Sequence, residues 1–64
     1  MRVIICGAGK VGSNIAKHLV DQNNNVTVID RSQKLIAELK EKIDLNTVIG
    51  SASNPSILKM AGAD

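Results

Sequence analysis

The sequence predicts an α/β chain: a Rossmann-like half fold with a three-stranded parallel sheet in the order 3-2-1. Helices are expected on both faces, with truncation before strand 4. Three observations predict it. Short β-branched runs recur at residues 2–6, 26–29 and 47–49, and each is followed by apolar residues at helical spacing. These runs are apolar throughout rather than alternating, the pattern of strands covered on both faces. A G-x-G-x-x-G string, residues 7–12, lies where the first run gives way to the first helical segment. A β-α-β-α-β-α order with right-handed crossovers makes the sheet parallel.

Each element has its own signals. The first strand ends at Gly7. Val11, Ile15, Ala16, Leu19 and Val20 then recur as one helical stripe. Asn23-Asn24-Asn25 ends that helix, because Asn tolerates left-handed and turn geometry. Asp30 closes the second strand, and Ser32 is suited to cap the next helix. Leu35, Ile36, Leu39 and Ile43 give that helix its apolar stripe. Gly50 stops the third strand. Asn54-Pro55 reads as an N-cap followed by proline at the first helical position. Ile57, Leu58 and Ala61 form the buried side of a short helix, with Gly62 as its C′ residue. A fourth strand is expected just after Ala63-Asp64, so residues 1–64 read as a partial dinucleotide-binding domain.

Size and composition narrow the function. A chain of 64 residues makes one small domain with a marginal core. It has no aromatic residues, so it lacks the stacking platforms of single-strand nucleic-acid binders. Eight Lys/Arg and six Asp/Glu are interspersed, and no basic stripe points to nucleic acid. Apolar runs fall far short of the roughly 20 residues that span a bilayer, so direct membrane insertion is not expected. The one cysteine, Cys6, cannot form an internal disulfide, and a reducing, cytoplasmic setting fits. Cys6 is expected to be buried at the end of the first strand. His18 reads as a surface helix residue, and no Cys/His/carboxylate cluster has metal-ligand spacing.

The glycine string carries the chemistry. Gly7 permits a tight turn out of the strand. Gly9 lacks a Cβ, so a pyrophosphate can approach the backbone, and Gly12 lets helix and strand pack closely. Free N–H groups in the first helical turn, with the helix dipole, attract the anion. For Lys10 the backbone N–H, not the side chain, is the expected phosphate donor. Asp30, eighteen residues after Gly12, can accept hydrogen bonds from ribose hydroxyls and repels a 2′-phosphate, favouring NAD over NADP. Arg31 beside it could pair with a 2′-phosphate or stack on adenine. Ser51 and Ser53 follow the third strand, where the adenine side of a nucleotide would lie.

Residues 1–12, then 26–30, then 48–55 with Leu58 and the closing Ala61-Gly62-Ala63-Asp64 resemble the TrkA family, in its N-terminal RCK or KTN domain. The resemblance covers the whole chain but only the beginning of the family's domain. It implies a nucleotide-sensing regulatory subunit of a potassium transport system, not an enzyme. The implied ligand is NAD or NADH, with ATP or ADP as further possibilities. The implied setting is a homo-oligomer, at least a dimer, under a membrane potassium transporter subunit. That places it in the cytoplasm, peripheral to the inner membrane through its partner. Carried over by position, Gly7, Ala8, Gly9, Lys10, Val11 and Gly12 surround the diphosphate, Asp30 holds the ribose and Arg31 flanks adenine. Many relatives have an acidic residue where this chain has Ser51. The alternative reading is the N-terminal cofactor-binding piece of an NAD-dependent dehydrogenase, whose catalytic groups would lie in later segments. The unpaired edge of the first strand is expected to bring two copies together.

Overall fold

A computed structural model describes residues 1–51 and 53–62. The strands are β1 (Arg2–Cys6), β2 (Asn25–Asp30) and β3 (Asn46–Ile49). The helices are α1 (Lys10–Asp21), α2 (Gln33–Lys42) and α3 (Pro55–Met60). The sheet is parallel in the order β1-β2-β3, as the sequence predicts. Ala63 and Asp64, the close of the expected family signature, lie outside the described residues.

The central strand carries the core. Val26 and Val28 point to one face, where they meet Ala16 of α1 and Ile36 and Leu39 of α2. All five are 3% exposed or less, and burying each of the larger ones is worth roughly 1.5–3 kcal/mol. Val3, Ile5, Leu19, Val20, Leu35, Ile43 and Leu45 pack around this cluster. Thr27 and Ile29 alternate to the opposite face and are buried too. There α3 runs back across the sheet, and its last turn comes close to Arg2, whose Nη1 donates to the Gly62 carbonyl at 3.4 Å. The helices therefore occupy both faces.

Helix ends follow the capping expectations. Ser32 Oγ accepts from Leu35 N–H at 3.2 Å, and Asn54 Oδ1 accepts from Ser56 N–H at 2.9 Å. Asn23 takes the left-handed conformation (φ 65°) that ends α1.

Two expectations of burial fail. Cys6 is exposed, because β1 has a strand on one side only among the described residues. The α1 stripe is only half used: Ala16 is fully buried, whereas Val11 is 72% and Ile15 48% exposed. Those two lie on the flank of α1 that the three-stranded sheet does not reach.

Candidate functional site

The strand register builds the site. β1 and β2 run in step, so Cys6 lies beside Ile29, and Asp30 lies beside Ile49 of β3. Gly7 N–H donates to the Ile29 carbonyl at 2.7 Å, and Gly50 N–H donates to the Asp30 carbonyl at 3.0 Å. Gly7, Asp30 and Gly50 thus stand shoulder to shoulder at the carboxyl ends of the strands. In open α/β sheets ligands bind at this end.

Gly7 turns the chain with φ +117°, a conformation L side chains rarely adopt. The chain then enters α1 at Lys10, inside the glycine string, with Gly9 as N-cap. Gly12 already lies in the first turn of the helix. A Cβ there would run into the Gly7 carbonyl oxygen, so the close approach of helix and strand requires glycine. Gly9 is different: nothing lies within 4 Å of where its Cβ would be. The fold itself has room for a side chain at Gly9. Ser13 Oγ braces the turn by donating to the Ala8 carbonyl at 3.1 Å.

No side chain caps α1. Its first intrahelical bond runs from Ser13 N–H to the Gly9 carbonyl, at 2.8 Å. The N–H groups of Gly9, Lys10, Val11 and Gly12 precede that bond and have no intrahelical acceptor. With the positive end of the helix dipole, they make a donor set that suits an anion.

Asp30 points into this corner, not away from it. Its Oδ2 accepts from Ala8 N–H and its Oδ1 from Ser32 N–H, both at 2.7 Å. Ala8 N–H was expected to face a diphosphate, but Asp30 holds it, and the outward donors begin at Gly9. The N–H of Ala8, then that of Ser32, hold the Asp30 carboxyl below the usual carboxylate range. Partial burial opposes them, and the Arg31 N–H adds to the lowering. The carboxyl is ionised near neutral pH. It has lone pairs left over, because two oxygens offer about four acceptor positions.

A crevice of about 210 Å³ opens beside this acid, lined by Cys6, Gly7, Ile29, Asp30, Arg31 and Gly50. It has room for one part of a nucleotide, not for a whole dinucleotide. Arg31 borders it. Ser51 does not line it: its hydroxyl shares a 2.7 Å hydrogen bond with Ser53 Oγ, within the β3–α3 corner. A larger groove of about 560 Å³ runs between α1 and α2, lined by Lys10, Lys17, Glu38 and Lys42 among others. That groove touches Ala8 and Gly9 at one end but does not include Asp30. The pinned acid lies on the smaller crevice and the open Gly9 and Lys10 on the larger groove, and the Ala8–Asp30 hydrogen bond joins the two, so the candidate site is this junction.

Two site residues escaped the sequence reading. Ser32 was assigned only a capping role, although its N–H also grips Asp30; the Asp-x-Ser spacing of an Asx turn was the available signal. Cys6 was placed in the core, yet it borders the crevice. Among the described residues, no helix is long and apolar enough to cross a membrane.

A family model described as the TrkA-N domain matches residues 3–64. A Trk system potassium uptake protein TrkA of Vibrio alginolyticus is 46% identical over 63 residues, covering 98% of this chain and 14% of its own length. The protein of that name from Halomonas elongata is 41% identical over 64 residues, again across 14% of its length. A potassium channel protein of Methanocaldococcus jannaschii is 39% identical over 59 residues, 91% of this chain and 18% of that protein. The crystal structure of the TrkA-N domain of an Escherichia coli inner membrane protein superposes with a TM-score of 0.84 at 30% identity. That match covers 95% of this chain and 44% of the other. The chain thus spans about 14% of the length of the TrkA proteins it matches.

Proposed function

The chain belongs to the TrkA-N domain family, and from that premise we propose that it is a nucleotide-sensing module of a potassium transport system. The observation that carries the proposal is the β1–α1 corner. There an uncapped helix start and an open glycine lie next to an ionised acid, which borders a small crevice. The donor set at Gly9, Lys10, Val11 and Gly12 fits a diphosphate, and Gly9 leaves space for it. Asp30 keeps acceptor capacity for ribose hydroxyls, and Arg31 flanks the place for adenine.

The preferred ligand is NAD or NADH, with ADP and ATP sharing the adenosine contacts. A fixed carboxylate disfavours the 2′-phosphate of NADP by like-charge repulsion. On this reading the module is a regulator rather than an enzyme, in keeping with the potassium-uptake names of its relatives. The names of its relatives support a membrane potassium transporter as partner, and hence a place at the cytoplasmic side of the membrane. Among the described residues the exposed Val11 and Ile15, on the flank of α1 away from the sheet, support assembly into at least a dimer.

Isothermal titration with NAD, NADH, ADP, ATP and NADP tests the reading. Saturable binding of the first four, with NADP at least about tenfold weaker (~1.4 kcal/mol), is the expected result. No binding of any adenine nucleotide would overturn it.

A further inference from the structure

The carboxylate of Asp30 is tied to two separate pieces of backbone. One oxygen holds Ala8, in the middle of the glycine turn, and the other holds Ser32, at the start of α2. The first link spans 22 residues of chain and joins the β1–α1 loop to the end of β2. The inner links differ in kind: Gly7 and Gly50 bond to carbonyls of β2 and merely extend the sheet. Asp30 is thus the only described side chain that bonds to both the β1–α1 and the β2–α2 corners.

We infer that Asp30 is a positioning residue: its carboxylate latches the glycine turn to the start of α2 and so sets the shape of the anion cradle before any ligand arrives. This rests on the nucleotide reading only for what the cradle receives; the latch itself belongs to the protein alone. The latch has a consequence for selectivity. A carboxylate free to rotate could swing aside and let Arg31 take a 2′-phosphate. A carboxylate held by two charge-assisted bonds of 2.7 Å must break both to do so. The latch thereby makes the repulsion of a 2′-phosphate permanent, even with a cation next in sequence.

Amide hydrogen exchange and amide proton shifts of the 64-residue chain, measured without nucleotide, test the latch. Ala8 and Ser32 amides should exchange at least about tenfold more slowly than those of Gly9 and Lys10, which have no acceptor. Their proton resonances should lie downfield, as expected for donors to a carboxylate. Asp30→Ala should abolish both signatures while leaving the amide of Val28 protected. Asp30→Asn, which keeps one carbonyl acceptor, should restore protection at one of the two amides. Ala8 exchanging as fast as Gly9 in the unsubstituted chain would overturn the latch, and that comparison needs no variant to fold. Unchanged Ala8 and Ser32 signals in a folded Asp30→Ala chain would overturn it as well. A latch found intact in a chain that binds no nucleotide would stand, and only the ligand reading would fall. For a chain that does bind, Asp30→Asn should narrow the preference for ADP over adenosine 2′,5′-bisphosphate.

Discussion

The β1–α1 and β3–α3 corners have the same plan and opposite chemistry. Both leave a strand through glycine and enter a helix within a few residues. At β3–α3 the protein satisfies itself: Asn54 caps α3, Pro55 removes one donor, and Ser51 and Ser53 bond to each other. At β1–α1 the cap position is Gly9, which has no side chain to offer, and the helix start is left with free donors. With glycine at the cap, a helix gives up a few tenths of a kcal/mol relative to one capped by a side chain. The first corner forgoes this stabilisation where the third does not. On the proposed reading, a ligand rather than a side chain completes α1.

The largest expected effect comes from Gly12, where an added Cβ would meet backbone rather than a side chain. Gly12→Val forces a side chain against the Gly7 carbonyl and should cost about 3 kcal/mol or more. In a chain this small that is a drop in melting temperature of roughly 12–24 °C, read by circular dichroism. A variant that melts with the parent would mean the close approach of α1 to β1 is wrong.

Gly9→Val should separate folding from binding. Nothing lies within 4 Å of the new Cβ, so the melting temperature should hold. Affinity for ADP should fall about a hundredfold or more (~2.7 kcal/mol), because the side chain fills the cradle. Normal ADP titration by this variant would remove the diphosphate from the corner.

The caps sharpen the contrast further. Asn54→Ala should destabilise the chain by about 1 kcal/mol with no change in nucleotide affinity. Gly9→Ser, which gives α1 the cap it lacks, should stabilise by a few tenths of a kcal/mol and weaken ADP. Loss of ADP affinity in Asn54→Ala, or a gain in Gly9→Ser, would show that the two corners are not different in kind.

The smallest effect is on acid stability. The folded-state carboxyl of Asp30 is lowered, by Ala8 N–H first and Ser32 N–H second, from an ordinary value of 3.8. Its contribution is therefore complete above that ordinary value and is lost as pH falls through the lower folded one. Melting curves of the parent between about pH 5 and pH 2 should fall more steeply than those of Asp30→Asn. Parallel curves would mean that the carboxylate gains nothing from its two backbone partners.

Much of this contrast was legible without coordinates. Strand runs, helical stripes, the caps at Ser32 and Asn54, and the roles of Gly7 and Gly12 follow from short-range rules, since each depends on neighbours a few residues away. The fate of Val11, Ile15 and Cys6 does not. An apolar residue is buried only if something covers it, and coverage on the outer side of β1 depends on which strand lies next in the sheet. The partner of the Ser51 hydroxyl, Ser53 in its own loop, is likewise set by how the chain folds there.

The order of elements, the parallel sheet and the place of the glycine turn follow from local conformational preference and hydrophobic period along the chain. The use of Asp30 follows instead from the assembled fold. Strand register carries that carboxylate across to Ala8, and no pattern along the chain specifies which backbone donor a side chain will meet 22 residues away. Burial and hydrogen bonding at such a corner are properties of the assembled sheet, where three separate segments contribute atoms to one small space.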